Sequence, residues 1–159
     1  MIHFIIEGRP QPQGRPRAVR MGSGVRMYDP PKSKAYKQMV AAKVRSYMKI
    51  NGIQTITEPL AVHLNFYFTP PKSYSKKRIQ AIEAKEELFT KHLDLDNLVK
   101  AVTDGMNSIM YLDDSQIVGL TAGKHYGHED YVDVKIEVIK DGKKYYEKNS
   151  FFNRRSGRL

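Results

Sequence analysis

The sequence predicts a small single domain of the α/β class, with helices packed on one mixed or mostly antiparallel sheet. A chain of 159 residues is about the size of one domain, and an apolar content of 40% can supply a core. Strict alternation of apolar and polar residues over 60–68 and 131–139 predicts strands. Apolar residues at helical spacing over 33–50 and 94–109 predict helices that cover the sheet.

The N-terminal part is predicted to contain a strand, a long loop and a helix. Residues 2–7 form a short apolar strand candidate, and the Gly-, Pro- and Arg-rich stretch 8–31 is predicted to lack regular structure. Residues 33–50 follow, with Ser33 as the expected N-cap and Gly52 as the stop signal. The apolar face of this helix consists of Tyr36, Val40, Val44, Tyr47 and Met48.

The middle of the chain contains the most regular patterns. In 60–68, alternate residues from Leu60 to Phe68 are apolar, which is typical of a half-buried strand that ends before Pro70. Residues 75–87 predict a short, exposed helix capped by Ser75. Residues 94–109 predict the clearest helix, and Gly105 within it indicates close packing.

Residues 115–122 and 131–139 predict two further strands, and their polar linker favours an antiparallel hairpin. We expect the domain to end at residue 139. The last segment, 140–159, carries seven basic and two acidic residues with little apolar content. It is therefore expected to be a mobile basic tail that adds non-specific DNA affinity.

Charge and composition restrict the function classes. The net charge of +10 and the pI of about 9.7 favour a polyanionic partner, because Lys and Arg release counterions from phosphates. The absence of cysteine from the sequence excludes disulfides, thiolate zinc sites and Cys nucleophiles, and fits a cytoplasmic location. No apolar run reaches the roughly 20 residues of a membrane span, and the N-terminus does not resemble a signal peptide. Without a Gly-rich phosphate loop, no nucleotide cofactor is expected.

The predicted N-terminal loop is a candidate phosphate-binding segment. Prolines stiffen it, and stiff arginine-bearing segments suit phosphate contact. A solvated basic loop is the simpler interpretation, but the charge of the whole chain favours DNA. The candidate DNA-binding residues are Arg9, Arg15, Arg17, Arg20 and Arg26.

Two acidic clusters are candidates for catalysis: Asp94 and Asp96 at the start of the 94–109 helix, and Asp113-Asp114 in the turn after it. Helix capping explains one Asp of the first cluster, and a turn explains the second cluster. If the clusters meet, however, four crowded carboxylates require a cation. Oxygen ligands without Cys indicate Mg²⁺ or Mn²⁺, and phosphodiester hydrolysis is the reaction that such a site commonly serves.

Whether the clusters meet depends on where the turn lies, because a helix of about 16 residues is roughly 24 Å long. Two other metal sites are disfavoured. An EF-hand loop starting at Asp94 would need a Glu where Gly105 stands. The pair His125 and His128 lacks a third ligand.

The segment DLDNLVKAVTDGMNSIMYLDDSQIV, together with the early GRPQPQGRPR, resembles the RusA-type Holliday junction resolvase (crossover junction endodeoxyribonuclease) family. The similarity spans roughly residues 2–139. The resemblance implies a small α/β homodimer of bacteria, phages or prophages. Such enzymes bind four-way junctions and nick two opposed strands with Mg²⁺ or Mn²⁺, in DNA recombination and repair.

The resemblance also implies residue roles. Asp94, Asp96 and Asp114 correspond to the essential carboxylates, with Asp113 as their neighbour in the metal site, and Lys100 corresponds to a catalytic basic residue. It implies that the carboxylates converge. The choice between Asp113 and Asp114 stays open, because the spacing between the clusters varies within the family. Two alternatives also stay open: a nuclease for other branched phage DNA, and a non-catalytic DNA-binding protein.

Overall fold

The structure is a computed structural model that describes residues 1–149. Its elements follow the order strand, hairpin, helix, strand, two helices, two strands and a last helix. Their bounds are β1 Ile2–Glu7, β2 Arg17–Met21, β3 Gly24–Tyr28, α1 Pro31–Asn51, β4 Leu60–Phe68, α2 Lys76–Glu83, α3 Leu95–Met106, β5 Ile117–Tyr126, β6 Tyr131–Val138 and α4 Gly142–Lys148, with a short 3₁₀ turn at Asp114–Gln116 before β5.

The main sheet has the order β1-β6-β4-β5 and is mixed, as predicted. The predicted hairpin of the last two strands is wrong, because β4 lies between them, antiparallel to β6 and parallel to β5. Their loop crosses the end of β4: the Gly127 N–H donates to the Phe68 carbonyl at 2.9 Å, and the Asp130 carboxylate accepts from the Thr69 N–H at 2.6 Å. Four loop residues suffice to cross two strand spacings of about 4.8 Å each.

Helix α1 covers one face of the sheet. It stops at Gly52, whose φ of 62° is in the left-handed region, as the sequence predicted. Ser33 is not the N-cap: the helix already begins at Pro31, because proline fixes the backbone angle of a first helical residue. Ser33 is buried instead, and its hydroxyl accepts a 2.8 Å hydrogen bond from the Gly14 N–H.

Helix α3 packs beside α1 on the same face. A Cβ at Gly105 would lie 2.7 Å from Cγ1 of Val40, so glycine permits this close approach. The helix ends at Met106, earlier than predicted, because Asn107 already has extended backbone angles. The fully buried side chains between helices and sheet include Ile6, Val40, Val44, Val62, Leu64, Phe66, Leu98, Val102, Met106, Val134 and Ile136.

The prediction that 8–31 lacks regular structure is wrong for its second half. Strands β2 and β3 form a two-stranded antiparallel hairpin, and every residue of the two strands is exposed. The chain reverses at Gly22, whose φ of 60° allows a tight turn. Alternating Val and Met residues are too few here to stand out among the arginines.

The segment predicted to be a mobile tail is partly ordered. Residues 142–148 form α4, whose Asp141 cap accepts from the Lys144 N–H at 3.2 Å. Lys148 pairs with Glu137 of β6 at 3.1 Å. The rest of the predicted tail, 150–159, lies outside the described residues. Among residues 1–149, no helix is both long and apolar enough to cross a membrane.

Candidate active site

Two carboxylates stand at the N-terminal end of α3. Asp94 occupies the N-cap position, but its side chain makes no capping hydrogen bond within residues 1–149. It receives only a long contact of 3.5 Å from the Asn97 amide. Asp96 is exposed in the first turn and has no hydrogen-bond or ion-pair partner in the described part of the chain. Capping therefore does not account for this pair, and both carboxylates are open to a cation.

The loop after β1 is fixed against this end of α3. The Gln13 N–H donates to the Asn97 carbonyl at 2.8 Å. The Gln13 side chain is buried and donates to Asp29 at 2.9 Å. These contacts tie the base of the β2–β3 hairpin to the first turn of α3. The base of the arginine-bearing hairpin is thereby held at the helix end that carries Asp94 and Asp96.

A charged network runs along the exposed face of α3. Lys37 of α1 contacts both Asp29 and Asp104, and Lys100 reaches Asp104 at 3.3 Å. A hydrogen bond from Lys37 lowers the pKa of Asp29. Burial opposes the charge on Lys37, yet Asp29 and Asp104 raise its pKa. Lys100 stands one helical turn after Asp96 and four residues before Asp104, so these side chains share one face.

The predicted DNA-binding arginines divide into two settings. Arg15, Arg17, Arg20 and Arg26 are exposed and form no ion pair within residues 1–149. Arg9 is already engaged: it pairs with Asp130 at 3.2 Å and lies 5.6 Å from the ring centroid of Phe68. These four arginines are thus available for phosphate, whereas Arg9 also supports the loop that crosses β4.

One residue of the second acidic cluster stabilises the turn in which the cluster lies. Asp113 caps the 3₁₀ turn: its carboxylate accepts from the Ser115 N–H at 3.0 Å, and its own N–H donates to the Gln116 side chain at 2.9 Å. The hydrogen bond from Ser115 lowers the pKa of Asp113. Asp114 has no hydrogen-bond partner for its side chain within the described residues. The turn interpretation therefore holds for Asp113 and leaves Asp114 as the available carboxylate.

The two clusters lie at opposite ends of α3. Twelve helical residues span about 18 Å. Strand β5 starts at Ile117, after the 3₁₀ turn that begins at Asp114, and runs back along the helix. There Lys124 donates to the Leu93 carbonyl at 2.7 Å, one residue before Asp94. At the other end, burial raises the pKa of Tyr111, and the nearby carboxylate of Asp114 adds to this effect.

Within residues 1–149 of one chain, no group of three or more His, Asp or Glu side chains is placed to hold a metal ion. The convergence implied by the resemblance is therefore not present inside a single chain. The side chains themselves fit a hard divalent cation, because Asp94, Asp96 and Asp114 offer exposed carboxylate oxygens. Lys100 adds a cation beside the first pair.

Sequence reasoning missed two members of the network beside the site, Asp29 and Lys37. The sequence held a weak signal for one contact: Asp104 repeats the spacing of Asp96 and Lys100 on α3. Nothing local indicates that Lys37 and Asp29 face it, because their contact depends on how α1 packs against α3.

The chain matches a known protein family over most of its length. The family model described as "Endodeoxyribonuclease RusA" matches residues 7–137. The chain belongs to the RusA family. It is therefore an endodeoxyribonuclease of the Holliday junction resolvase type, as the motif indicated, and members of this family generally depend on a divalent metal. This RusA-family chain is also 39% identical over 140 residues to "Uncharacterized protein YqaN" of Bacillus subtilis (strain 168), which covers 87% of this chain and 96% of that protein.

Proposed function

We propose that this RusA-family enzyme uses Mg²⁺ to resolve four-way DNA junctions by paired nicks, as a homodimer, in recombination and repair. One observation carries the proposal: Asp94 and Asp96 expose carboxylates without capping bonds or ion pairs among residues 1–149, beside an arginine-bearing hairpin. Carboxylates in this state add repulsion toward DNA unless a cation is bound. Their exposure is consequently better explained by metal binding than by stability.

Asp94, Asp96 and Asp114 would hold the ion, with Asp113 as a weaker contributor because its carboxylate already caps a turn. Mg²⁺ prefers such oxygen ligands, and Mn²⁺ is expected to substitute. A divalent ion at a phosphodiester supplies Lewis-acid activation and neutralises charge. Lys100, whose amine is 3.3 Å from Asp104, would contact the phosphate that is cut or orient Asp96. Arg15, Arg17, Arg20 and Arg26 would bind flanking phosphates, and Arg9 would do so less strongly.

The distance between the acidic clusters supports a site shared by two subunits. Helix α3, which lies between the two clusters in the chain, is about 18 Å long, and residues 1–149 contain no group of three ligating side chains, so we expect a second copy to supply the missing carboxylate. Exposed apolar side chains flank Asp114 in the sequence: Leu112, Val118 and Leu120 are 57%, 54% and 50% exposed. A patch of this kind favours a self-complementary interface. Two such sites related by two-fold symmetry match the two opposed strands of a junction.

The first experiment tests the activity. A labelled four-way junction is incubated with the full chain, with Mg²⁺ and with chelator. We expect symmetric nicks in two opposed strands that require the metal. Cleavage of flaps or forks in preference to the junction would identify a nuclease for other branched DNA. Binding without metal-dependent cleavage would identify a non-catalytic binder and contradict the proposal.

The second experiment tests the shared site by complementation. An Asp96→Asn chain is co-purified with a differently tagged Asp114→Asn chain as a mixed dimer. If each site uses both subunits, one site of the mixed dimer is intact, and nicking of one strand returns. The matched control combines Asp94→Asn with Asp96→Asn, which leaves every shared site defective. Inactivity of both mixtures would mean that the carboxylates of each site come from one chain.

A further inference from the structure

A cleft of about 640 Å³ lies between α2 and the ends of β4 and β5. Ile79 and Ile82 of α2 line it, opposite Tyr74 and Tyr126. Helix α2 buries none of its own residues in the described structure, so its two isoleucines face this cleft rather than a closed core. We call this space the α2 cleft; the acidic motif of α3 does not line it.

The α2 cleft is one side of a cluster of four aromatic rings. Phe89 lies 4.6 Å from Phe68 and 5.0 Å from Tyr126, and Tyr126 lies 6.4 Å from Tyr74, all between ring centroids. The hydroxyls of Tyr74 and Tyr126 are 3.4 Å apart. The two phenylalanines are buried, whereas the two tyrosines are only partly covered and form the accessible wall.

Four cations contact these rings. Arg78 and Lys91 lie 3.7 and 4.9 Å from the centroid of Tyr74, and the other two contacts are made by Lys124 on Phe89 and Arg9 on Phe68. These are all the cation–ring contacts within residues 1–149. A chain of this length typically has about two such contacts. The two contacts on Tyr74 place a ring and cations side by side on the accessible wall, an arrangement that suits single-stranded nucleic acid, although Arg78 also pairs with Glu87 at 2.6 Å.

The rim of the cleft is basic. Residues 70–93 hold six Lys or Arg against three Glu. Lys72, Lys85 and His128 line the cleft, and Glu83 is its one acidic lining residue in the described structure. Lys85 has a φ of 60°, where glycine is the usual residue after a helix. The chain thus keeps a cation on the rim at a conformational cost.

The cleft opens at the same end of α3 as Asp94 and Asp96. Lys91, which contacts Tyr74, precedes Asp94 by three residues. Lys124 joins β5 to the Leu93 carbonyl, directly before the first acidic residue. A strand bound at the α3 carboxylates therefore passes close to the ring cluster.

We propose that the α2 cleft binds an unpaired nucleotide of the DNA substrate. Its base packs against Tyr74, Tyr126 and the isoleucines, while Lys72, Lys85 and Lys91 hold adjacent phosphates. The occupant is an unpaired nucleotide, because a base in a duplex must first be unstacked before it can enter such a pocket. This inference rests on the proposed function, and it makes unpaired bases near the branch point a selectivity determinant.

Binding is measured in Ca²⁺, which avoids cleavage, with two labelled junctions. One is fully paired, and the other carries three unpaired thymidines beside the branch point. Wild type is expected to favour the unpaired junction. Tyr74→Leu should reduce affinity for the unpaired junction about tenfold more than for the paired one, since a base–aromatic contact is lost. Tyr74→Phe keeps the ring and should retain the preference. Equal losses on both junctions, or no loss, would overturn the proposal.

Lys85→Gly provides a second variant, one that is expected to fold as well as wild type. Glycine suits the left-handed backbone at this position, so the thermal midpoint should hold or rise. Removal of the rim cation should nevertheless weaken binding of the unpaired junction severalfold more than that of the paired one. An unchanged preference would remove the phosphate role of Lys85 and contradict the proposal.

The results distinguish a failure of the proposed function from a failure of the α2 cleft assignment. If wild type does not cut any junction in Mg²⁺ but Tyr74→Leu still abolishes the preference for unpaired DNA, the proposed function falls and the cleft assignment stands. If wild type resolves junctions and none of these variants changes the preference, the cleft assignment falls alone. A 2-aminopurine among the unpaired bases gives an independent readout, because its fluorescence should fall on packing against the tyrosines.

Discussion

The two ends of α3 carry similar acidic pairs in different settings. At the N-terminal end, Asp94 and Asp96 have no capping bond or ion pair among residues 1–149, and a loop hydrogen bond to Asn97 fixes the first turn. After the C-terminal end, Asp113 caps its own turn, and only Asp114 is left available. Adjacent acids of one motif are therefore not equivalent. Spacing locates the carboxylates, but their hydrogen bonds decide which of them can bind a cation.

The largest expected effect comes from Asp96→Asn. Asparagine keeps the shape and removes a charge that a hard cation needs, so cleavage should fall by several orders of magnitude. Folding should survive within about 1 kcal/mol, because Asp96 makes no structural contact. Junction binding in Ca²⁺ should persist or tighten, since repulsion with phosphate is lost. Single-turnover cleavage, thermal midpoint and affinity are measured on one preparation.

Asp94→Asn and Asp114→Asn should likewise lose cleavage while they keep stability and junction binding. Asp113→Asn should lose less of its cleavage activity. A capping role predicts the reverse: lower stability with little change in turnover of folded protein. If Asp96→Asn cuts at close to the wild-type rate, the metal-site assignment is wrong.

Gly105→Ala tests what anchors α3 to α1. An added Cβ would meet Val40 at 2.7 Å, and overpacking should outweigh the better helix propensity of alanine. We expect a loss of about 1–2 kcal/mol in the free energy of unfolding, measured by denaturant titration. Gly142→Ala is the matched control, because no atom lies within 4 Å of a Cβ there. An equal change in the free energy of unfolding for the two variants would mean that the α1–α3 contact adapts without strain.

The candidate arginines also differ in whether an ion pair already engages them. Arg20 of the hairpin has no ion pair in the described residues, whereas Arg9 is paired with Asp130. Arg20→Ala should lower the salt dependence of junction binding by about 0.9 in log–log slope. Arg9→Ala should change it less. Binding titrations over a salt series test this, and an unaltered slope for Arg20→Ala would exclude its phosphate contact.

Asp113→Ala separates structure from chemistry at the second cluster. Loss of the cap should cost about 1 kcal/mol and lower the thermal midpoint by about 2–4 °C. Asp113→Asn can still cap the turn, so its thermal midpoint should stay close to that of wild type. Asp114→Ala should leave stability intact. A destabilised Asp114→Ala with an unaffected Asp113→Ala would reverse the roles assigned to this pair.

The smallest expected effect concerns the pH dependence of Asp29. Its pKa is lowered in the folded state by the hydrogen bond from Lys37, so its contribution is present above the ordinary value of 3.8 and lost as pH falls below it. Asp29→Asn should therefore cost about 0.2–1 kcal/mol at pH 7, the range of ion pairs that remain in contact with solvent, because Asp29 and Lys37 are only partly covered. The difference from wild type should vanish near pH 2. A difference that persists at low pH would assign the contact to packing instead of charge.

Much of the core was predictable from periodicity. Leu60 to Phe68 and Val132 to Ile136 alternate as buried strands, and α1 and α3 bury the faces that their spacing predicted. Strand pairing was not predictable, because whether β6 contacts β5 or β4 depends on residues far apart in the chain. The β2–β3 hairpin was missed for a different reason: its residues are all exposed, so no buried face marks it.

The candidate site residues were proposed from the motif and their roles stay predictions, whereas their arrangement could not be derived from the sequence. Asp94, Asp96, Lys100 and Asp114 follow from the motif. The capping role of Asp113 and the contacts of Lys37 depend on hydrogen-bond geometry that spacing does not contain. The separation of the two acidic clusters follows from the direction of β5, which returns along α3 instead of folding the turn back to Asp94.

The pairing of β1 with β6 has a consequence for biosynthesis. Phe4 of β1 lies opposite Val134 of β6, and β6 alone connects β1 to β4. A nascent chain leaving the ribosome cannot complete this sheet before about residue 138 has been made. Long-range pairing of this kind slows folding, because a large loop must close first. Chains truncated before β6 consequently lack the strand that joins β1 to β4, so β1 is left without its partner in the main sheet.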